Sequence, residues 1–541
     1  MNLNSFALWA GFSPASITGA SIVVEQIQPT NPLLPDIFAL HGKWRANKPA
    51  VVFDGETLSW KAFNSRINKI ANGLTEMGLV KGDRVIVLMS NGMSMMEVLF
   101  GIMVGGFVSA PLNVSVSNEA IINMVCDSQA KAILATEDYC DRVEKMSHSL
   151  PGACYDNRIC TGPVRSGWTA YVQWRDAQLD TKPSVDILPK DYLNIIYSSG
   201  TTGLPKGIVH THAGRRDWAY DLAIALRYDS SARFLVTIGL YSNITWVGML
   251  CTMLAGGTVL INGKFDADKI WHRLQDDKIT HLSMVPVMYE RMMEAKNESI
   301  DTSAMSGMMS AGSPLRENVK AALFDRFECG IIELYGLTEG VITTLDPEDA
   351  DGRLASVGLP LIGTDLKILD DENNECAVNQ PGEIVANGRI VMPEYFNRPD
   401  ATREAIWVDE AGTHWLRTGD IGYLDNECFL YIVDRKKDMI LSGGQNVYPQ
   451  DIEAILLTHA SVKDAAVIGV KSQKWGETPL AVITSVDGVL DTVALRKWVN
   501  EKLGKQQRIV GIDLIDEIPR NPNGKILKRQ LRENYKGQVF D

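Results

Sequence analysis

Residues 197–207 read YSSGTTGLPKG and hold four serine or threonine hydroxyls, three glycines and one lysine. Small residues let a backbone approach a ligand closely and turn its N–H groups toward it, which is how glycine-rich loops cradle phosphate. The strand-like LNIIY (193–197) precedes the loop, as a phosphate loop at a strand end requires. The spacing is not that of a Walker A loop. Counted from Gly200, Pro205 stands where the second glycine belongs and Gly207 where serine or threonine belongs. A P-loop NTPase is therefore excluded. The candidate phosphate ligands are Ser198, Ser199, Gly200, Thr201, Thr202, Gly203 and Lys206. Taken alone, the stretch also fits a flexible surface turn.

Three further stretches carry chemistry of matching kinds. YGLTE (335–339) sets an aromatic platform, a hydroxyl and a carboxylate within five residues. RTGD (417–420) puts an aspartate on a tight turn, where it can accept two hydrogen bonds from a ribose. NPNGK (521–525) ends in a lysine just after a turn. Each alone is an ordinary surface turn. In this order and spacing they resemble the adenylate-forming superfamily: acyl-CoA synthetases, aryl-CoA ligases, luciferases and peptide-synthetase adenylation domains. The resemblance runs from about residue 30 to 535.

The resemblance implies two half-reactions. A carboxylate attacks the α-phosphate of ATP to give acyl-AMP and pyrophosphate, and a thiol then takes the acyl group and releases AMP. An anion must approach a polyanion, so catalysis rests on positioning and electrostatic stabilisation. By the resemblance, Thr201, Thr202 and Lys206 hold the β- and γ-phosphates, Thr338 bonds the α-phosphate, and Glu339 binds Mg²⁺. One carboxylate sharing the ion with phosphate oxygens and water suits magnesium. Tyr335 and Gly336 face the adenine, lined also by Ala311, Gly312 and Ser313 of SAGSP (310–314), while Asp420 and Arg435 hold the ribose. Lys525 is the adenylation lysine, Lys437 the hinge about which a small domain rotates, and Gly444 lines the pantetheine channel reached after rotation. His212 matches a frequent family histidine and receives no role. ATP, Mg²⁺ and coenzyme A are the implied cofactors and co-substrates.

SGGQNVYPQDIE (442–453) resembles free-standing acyl- and aryl-CoA ligases more than peptide-synthetase domains. LYSNITWVGM (240–249) holds no acid to meet a substrate ammonium, which argues against an α-amino acid. With GMMSAG (307–312) and GLTEGV (336–341) it is expected to form the acid pocket, with Tyr241, Trp246, Met308, Met309, Gly336 and Val341 as its wall. Trp246 reads equally as a pocket cap or as core. None of the three stretches holds lysine or arginine, so the expected substrate is a medium-chain or aryl monocarboxylate. Transfer to a carrier-protein thiol, oxidation of the adenylate, and a non-catalytic nucleotide-binding relative remain as alternatives. The last is disfavoured by the joint presence of Lys206, Thr338, Glu339, Asp420, Arg435 and Lys525.

These residues need a scaffold. Apolar runs such as RVIVLMS (84–90), KAILAT (131–136), HLSMVPV (281–287) and GIIELYG (330–336) alternate with helical patterns, which predicts α/β layering with largely parallel sheets. From about 353 hairpin-like segments predict a β-rich, barrel-like piece, and beyond the charged segment DRKKDMILSGGQ (434–445) a small α+β unit follows. The expected domains are 1–433, a hinge at 434–438 and a mobile domain at 439–541. The chain of 541 residues is 45% hydrophobic and 22% charged, enough for a large domain and a small one without staples. A net charge of −13 argues against a nucleic-acid binder. The eight cysteines form no CxxC pair and read as reduced thiols, which points to the cytoplasm. Residues 6–24 make a poor signal peptide, and the charge-free run 234–261 is broken by glycines and polar residues, so no membrane span is expected. Oligomeric state is not legible.

Overall fold

The computed structural model describes residues 30–198, 205–295, 299–488, 490–521 and 524–540. Contacts divide the chain after Pro32, and everything below concerns the unit that begins at Leu33.

Short aliphatic runs with no polar face fit strands covered on both sides. Seven of them form one sheet, in the order Thr169–Ala170, Arg158–Cys160, Ala132–Ala135, Arg84–Leu88, Val108–Pro111, Tyr192–Tyr197 and Gly207–Thr211. Its pairings are parallel except the last. There Tyr197 lies opposite Gly207 in an antiparallel pair, so the glycine-rich stretch bridges two neighbouring strands.

A nine-stranded sheet follows, with His281–Met284 at its centre and Gly307–Ser310 next to it, between His281–Met284 and Ile332–Gly336. Its middle is parallel and its ends are antiparallel. The charge-free run resolves as strand Arg233–Val236, helix Asn243–Ala255 and strand Thr258–Ile261. That helix and Met93–Val104 are buried on nearly every side, in one core with side chains from both sheets. Gly248 allows the approach: a Cβ there would meet the Phe234 ring at 2.2 Å. Each fully buried Leu, Phe or Met contributes about 1.5–3 kcal/mol, which explains two helices without a polar face. Among the described residues no helix is long and apolar enough to cross a membrane.

The β-rich piece is a five-stranded antiparallel sheet between Thr364 and Arg435. A separate five-stranded sheet starts at Ile440–Ser442 and carries the helices Pro449–Leu457, Thr492–Asn500 and Lys528–Asn534. The Asp491 carboxylate caps Thr492–Asn500 by accepting from the Val493 and Ala494 amides, and Leu495, Val499 and Leu503 fill its buried face. The segment 434–445, read as a linker, supplies the end of strand Leu430–Arg435 and all of Ile440–Ser442.

Candidate active site

The glycine-rich loop is closed at its base. The Ser198 amide donates to the Lys206 carbonyl at 3.0 Å, and the Lys206 amide donates to Ser198 Oγ at 3.2 Å. Ser199, Gly200, Thr201, Thr202 and Gly203 lie outside the described residues. The Lys206 ammonium sits 4.7 Å from the Tyr395 ring centroid, a cation–π distance. Tyr395 in turn donates its hydroxyl to Glu339 Oε1 at 2.9 Å. Burial and the Glu339 charge both push this phenol's pKa upward, so it stays a donor. Sequence reasoning missed Tyr395. Its stretch, MPEYFNRP, has no glycine cluster, and it reaches the site only because Phe396 N donates to Gly207 O and Val209 N to Glu394 O.

Thr338 and Glu339 sit in the hairpin turn between Ile332–Gly336 and Ile342–Leu345. The turn is fixed by Leu337 N to Val341 O at 3.0 Å and Gly340 N to Leu337 O at 3.1 Å. Gly340 has φ +108°, and a Cβ there would lie 2.1 Å from the Ile390 carbonyl oxygen, so only glycine fits. The Glu339 carbonyl accepts from Met392 N at 2.7 Å, which ties the turn to the segment that carries Tyr395.

Ala311, Gly312 and Ser313 follow Gly307–Ser310, and Tyr335 and Gly336 end the adjacent parallel strand. Both groups thus lie at the carboxyl ends of neighbouring strands, where open α/β sheets bind ligands. The Tyr335 hydroxyl donates to Asp420 Oδ2 at 2.8 Å, and Arg435 Nε lies 3.5 Å from Asp420 Oδ1. Asp420 and Arg435 face each other across an antiparallel pair, which explains how RTGD and the start of the charge run meet.

Lys525 comes to the same place. Gly524 packs against Val287, its Cβ position 3.5 Å from Val287 Cγ1, and the Asn521 side chain accepts from the Lys525 amide at 2.9 Å. Burial pushes the Lys525 pKa down to about 7, helped by Arg435 and Lys437 and opposed by Asp420 and Asp438. A cleft of about 240 Å³ opens here, lined by Arg435, Lys437, Asp438, Lys525, Arg529 and Arg532 among others. Lys437 is exposed at the rim of this cleft, and its pKa is lowered by partial desolvation and then by Arg435. Gly444 is elsewhere. It is exposed in the two-residue turn between Ile440–Ser442 and Gln445–Val447, with φ +79° and nothing within 4 Å of its Cβ position.

The expected acid wall is divided. Tyr241, Trp246 and Met309 share one core, Met308 packs in another, and Val341 belongs to a third. Side chains alternate along a strand, so Met308 and Met309 point to opposite faces of the sheet. Trp246 is fully buried and donates Nε1 to Leu240 O at 2.9 Å. Gly336 is exposed beside the hairpin turn.

A family model described as AMP-binding enzyme matches residues 39–396, and one described as AMP-binding enzyme C-terminal domain matches 451–525. The chain belongs to the AMP-binding enzyme family. A long-chain-fatty-acid–CoA ligase of Mycobacterium tuberculosis, FadD13, is 30% identical over 89% of this chain and 94% of its own. A 2-succinylbenzoate–CoA ligase of Bacillus cereus is 30% identical over 90% and 95%. Among solved structures, ATP-bound MatB of Rhodopseudomonas palustris superposes with a TM-score of 0.85 at 25% identity, covering 93% of this chain and 99% of its own. The o-succinylbenzoate CoA synthetase of Bacillus subtilis, solved with its acyl-adenylate, gives 0.81 at 26%, covering 92% and 98%.

The family implies Mg²⁺, and the donor set fits a shared ion. Among the described residues no cluster of three metal-ligating side chains occurs; Glu339 is the carboxylate that would share an ion with phosphate oxygens and water.

Proposed function

We propose that this enzyme activates a medium-chain or aryl carboxylic acid in the cytoplasm, with the residue roles given below. The reaction class is ATP-dependent, AMP-forming ligation of a carboxylic acid to coenzyme A through an acyl-adenylate. A cytoplasmic setting is supported by eight free cysteines.

The observation that supports the residue assignment is the meeting of Lys525 with Asp420 and Arg435, which lie ninety or more residues earlier in the chain. Two anions must come within bonding distance, and Lys206, Arg435 and Lys525 supply the positive field that makes this tolerable. In this reading Lys525 serves the point where the carboxylate meets the α-phosphate. Thr338 is the hydroxyl donor to the α-phosphate, and Tyr335 and Asp420 hold the nucleoside. Glu339 is held by Tyr395 as the carboxylate for Mg²⁺, which when bound neutralises phosphate charge. Asp420 already carries two protein donors, so a ribose exchanges partners with a preset acceptor.

The observed arrangement presents Lys525 and leaves Gly444 exposed, which suits the adenylation half-reaction. Thioester formation then needs the small domain to turn about Lys437, withdrawing Lys525 and bringing the Gly443–Gly444 turn to the acyl-AMP. A pooled reaction with ATP, Mg²⁺, coenzyme A and short, medium, long, aryl and dicarboxylic acids, read by mass spectrometry, tests this. One new acyl-CoA mass is expected, from a medium-chain or aryl skeleton carrying one or two carboxylates. Acyl-AMP without any acyl-CoA contradicts the ligase reading.

A further inference from the structure

One buried charge in the large unit has no counter-ion. Arg215 lies in helix His212–Ala225 and is 1% exposed. Its Nε donates to Asn194 Oδ1 at 3.2 Å and its Nη2 to Asn243 Oδ1 at 2.8 Å. The guanidinium carbon lies 4.6 Å from the Trp218 ring centroid and 5.3 Å from that of Trp246. No carboxylate among the described residues pairs with it. The two acids of its own helix are committed elsewhere, Asp217 to Arg216 at 2.8 Å and Asp221 to Arg389. Two carboxamides and two rings solvate a cation but do not neutralise it, and burying an unpaired guanidinium costs several kcal/mol.

The surroundings hold unused donors. Asn194 Nδ2, His210 Nε2 and Ser242 Oγ are buried without a protein partner. Asn194 and His210 face each other across the strand pair, and Arg215 bonds Asn194. Ser242 precedes helix Asn243–Ala255 as its N-cap residue, yet its side chain makes no cap bond. An N-terminus left open in this way favours negative charge. Tyr241 and Asn243, beside Ser242, are partly exposed, so the cluster adjoins reachable space. Trp246 and Met309 belong to the same core as Trp218, which places Arg215 against the expected acid wall.

We infer that Arg215, with Asn194, His210, Ser242 and the open end of helix Asn243–Ala255, receives a second carboxylate at the far end of the acid substrate. This rests on the ligase reading above and specifies its substrate class. Arginine matches a carboxylate in charge and in bidentate geometry, and the flanking tryptophans suit an aromatic or hydrocarbon body between the two acid groups. The monocarboxylate expectation came from three stretches without a cation, and Arg215 lies outside all of them.

The test uses the full chain and matched pairs of acids, each a monocarboxylate and its ω-carboxylated counterpart of the same skeleton, aliphatic and aryl. Acid-dependent AMP release gives kcat/KM for the wild type, Arg215→Leu and Arg215→Lys. The wild type is expected to favour the diacid of one pair by about a hundredfold. Arg215→Leu reverses that preference, and Arg215→Lys restores part of it. Because leucine removes a buried unpaired charge, its Tm is expected to equal or exceed that of the wild type. Preference for the monoacid in the wild type, or the same ratio in Arg215→Leu, overturns the inference and leaves the ligase reading intact. A lowered Tm with an unaltered ratio assigns Arg215 to structure and also overturns it. AMP release with no acid of either class overturns both readings.

Discussion

In the proposed role Lys525 must be charged to bring two anions together, yet burial lowers its pKa. Burial lowers its pKa from 10.5 to about 7, and Arg435 and Lys437 push the same way. Before nucleotide arrives, its ionised fraction is about 0.9 at pH 6 and about 0.1 at pH 8. The triphosphate is the missing counter-charge. An opposite charge nearby favours the ammonium, so ATP raises the pKa and binding draws a proton from solution. The sign follows: uptake is small below the free value and grows above it, and affinity weakens as pH rises through about 7. At pH 8 Lys525 contributes about 0.9 proton per ATP, and at pH 6 about 0.1. Titration calorimetry with a non-hydrolysable ATP analogue and Mg²⁺, in buffers of different ionisation enthalpy, measures this as a slope. The γ-phosphate also titrates, so the informative quantity is the difference between wild type and Lys525→Met. That difference is expected to be close to one proton at pH 8 and near zero at pH 6. Equal slopes for the two proteins at pH 8 refute the reasoning.

The division of labour between the two faces of the small unit is separable. Lys525→Ala is expected to lose acyl-AMP formation by at least about a hundredfold while keeping thioester formation from supplied acyl-AMP. Gly444→Asn, chosen because asparagine tolerates a positive φ, is expected to do the reverse and let acyl-AMP accumulate. Loss of both half-reactions in either variant contradicts the rotation. Tyr395→Phe removes a hydrogen bond to the Glu339 carboxylate, worth about 1.5–3 kcal/mol, so the Mg²⁺ concentration for half-maximal rate is expected to rise about tenfold or more. An unshifted Mg²⁺ dependence separates Tyr395 from the metal carboxylate. Glu97 accepts from Arg66 at 2.6 Å, Arg175 at 2.8 Å and Tyr171 at 2.6 Å in the core. Glu97→Ala leaves Arg175 with Asp176 as its carboxylate partner but breaks a buried ion pair, and is expected to cost about 3 kcal/mol in chemical denaturation, against little effect if the network is dispensable.

The stretches proposed for the nucleotide end stand out in the sequence because each is local. YGLTE runs from a strand end into a hairpin turn, RTGD is a strand segment, and Asn521, Gly524 and Lys525 are joined by backbone hydrogen bonds, so each candidate side chain lies within five residues of its neighbours. Tyr395 was not legible, because its place depends on pairing with Gly207–Thr211 from a distant part of the chain. The acid wall was read too broadly for a related reason. GMMSAG looks apolar throughout, but strand alternation sends Met308 and Met309 into different cores. Arg215 was invisible as a candidate because GRRDW reads as an ordinary charged helix start. Packing of helix His212–Ala225 on Asn243–Ala255 buries both of its arginines, and only Arg216 keeps a carboxylate partner, Asp217.

The account's central claim is that the acid's carboxylate attacks the α-phosphate before the thiol enters. An acid labelled with ¹⁸O in its carboxylate tests it most directly, with all phosphorus products separated after one turnover with coenzyme A. Attack through acyl-AMP leaves one carboxylate oxygen on the phosphate of AMP, so the label is expected in AMP and not in pyrophosphate. Label in inorganic phosphate with ADP as co-product, or unlabelled AMP, would contradict it.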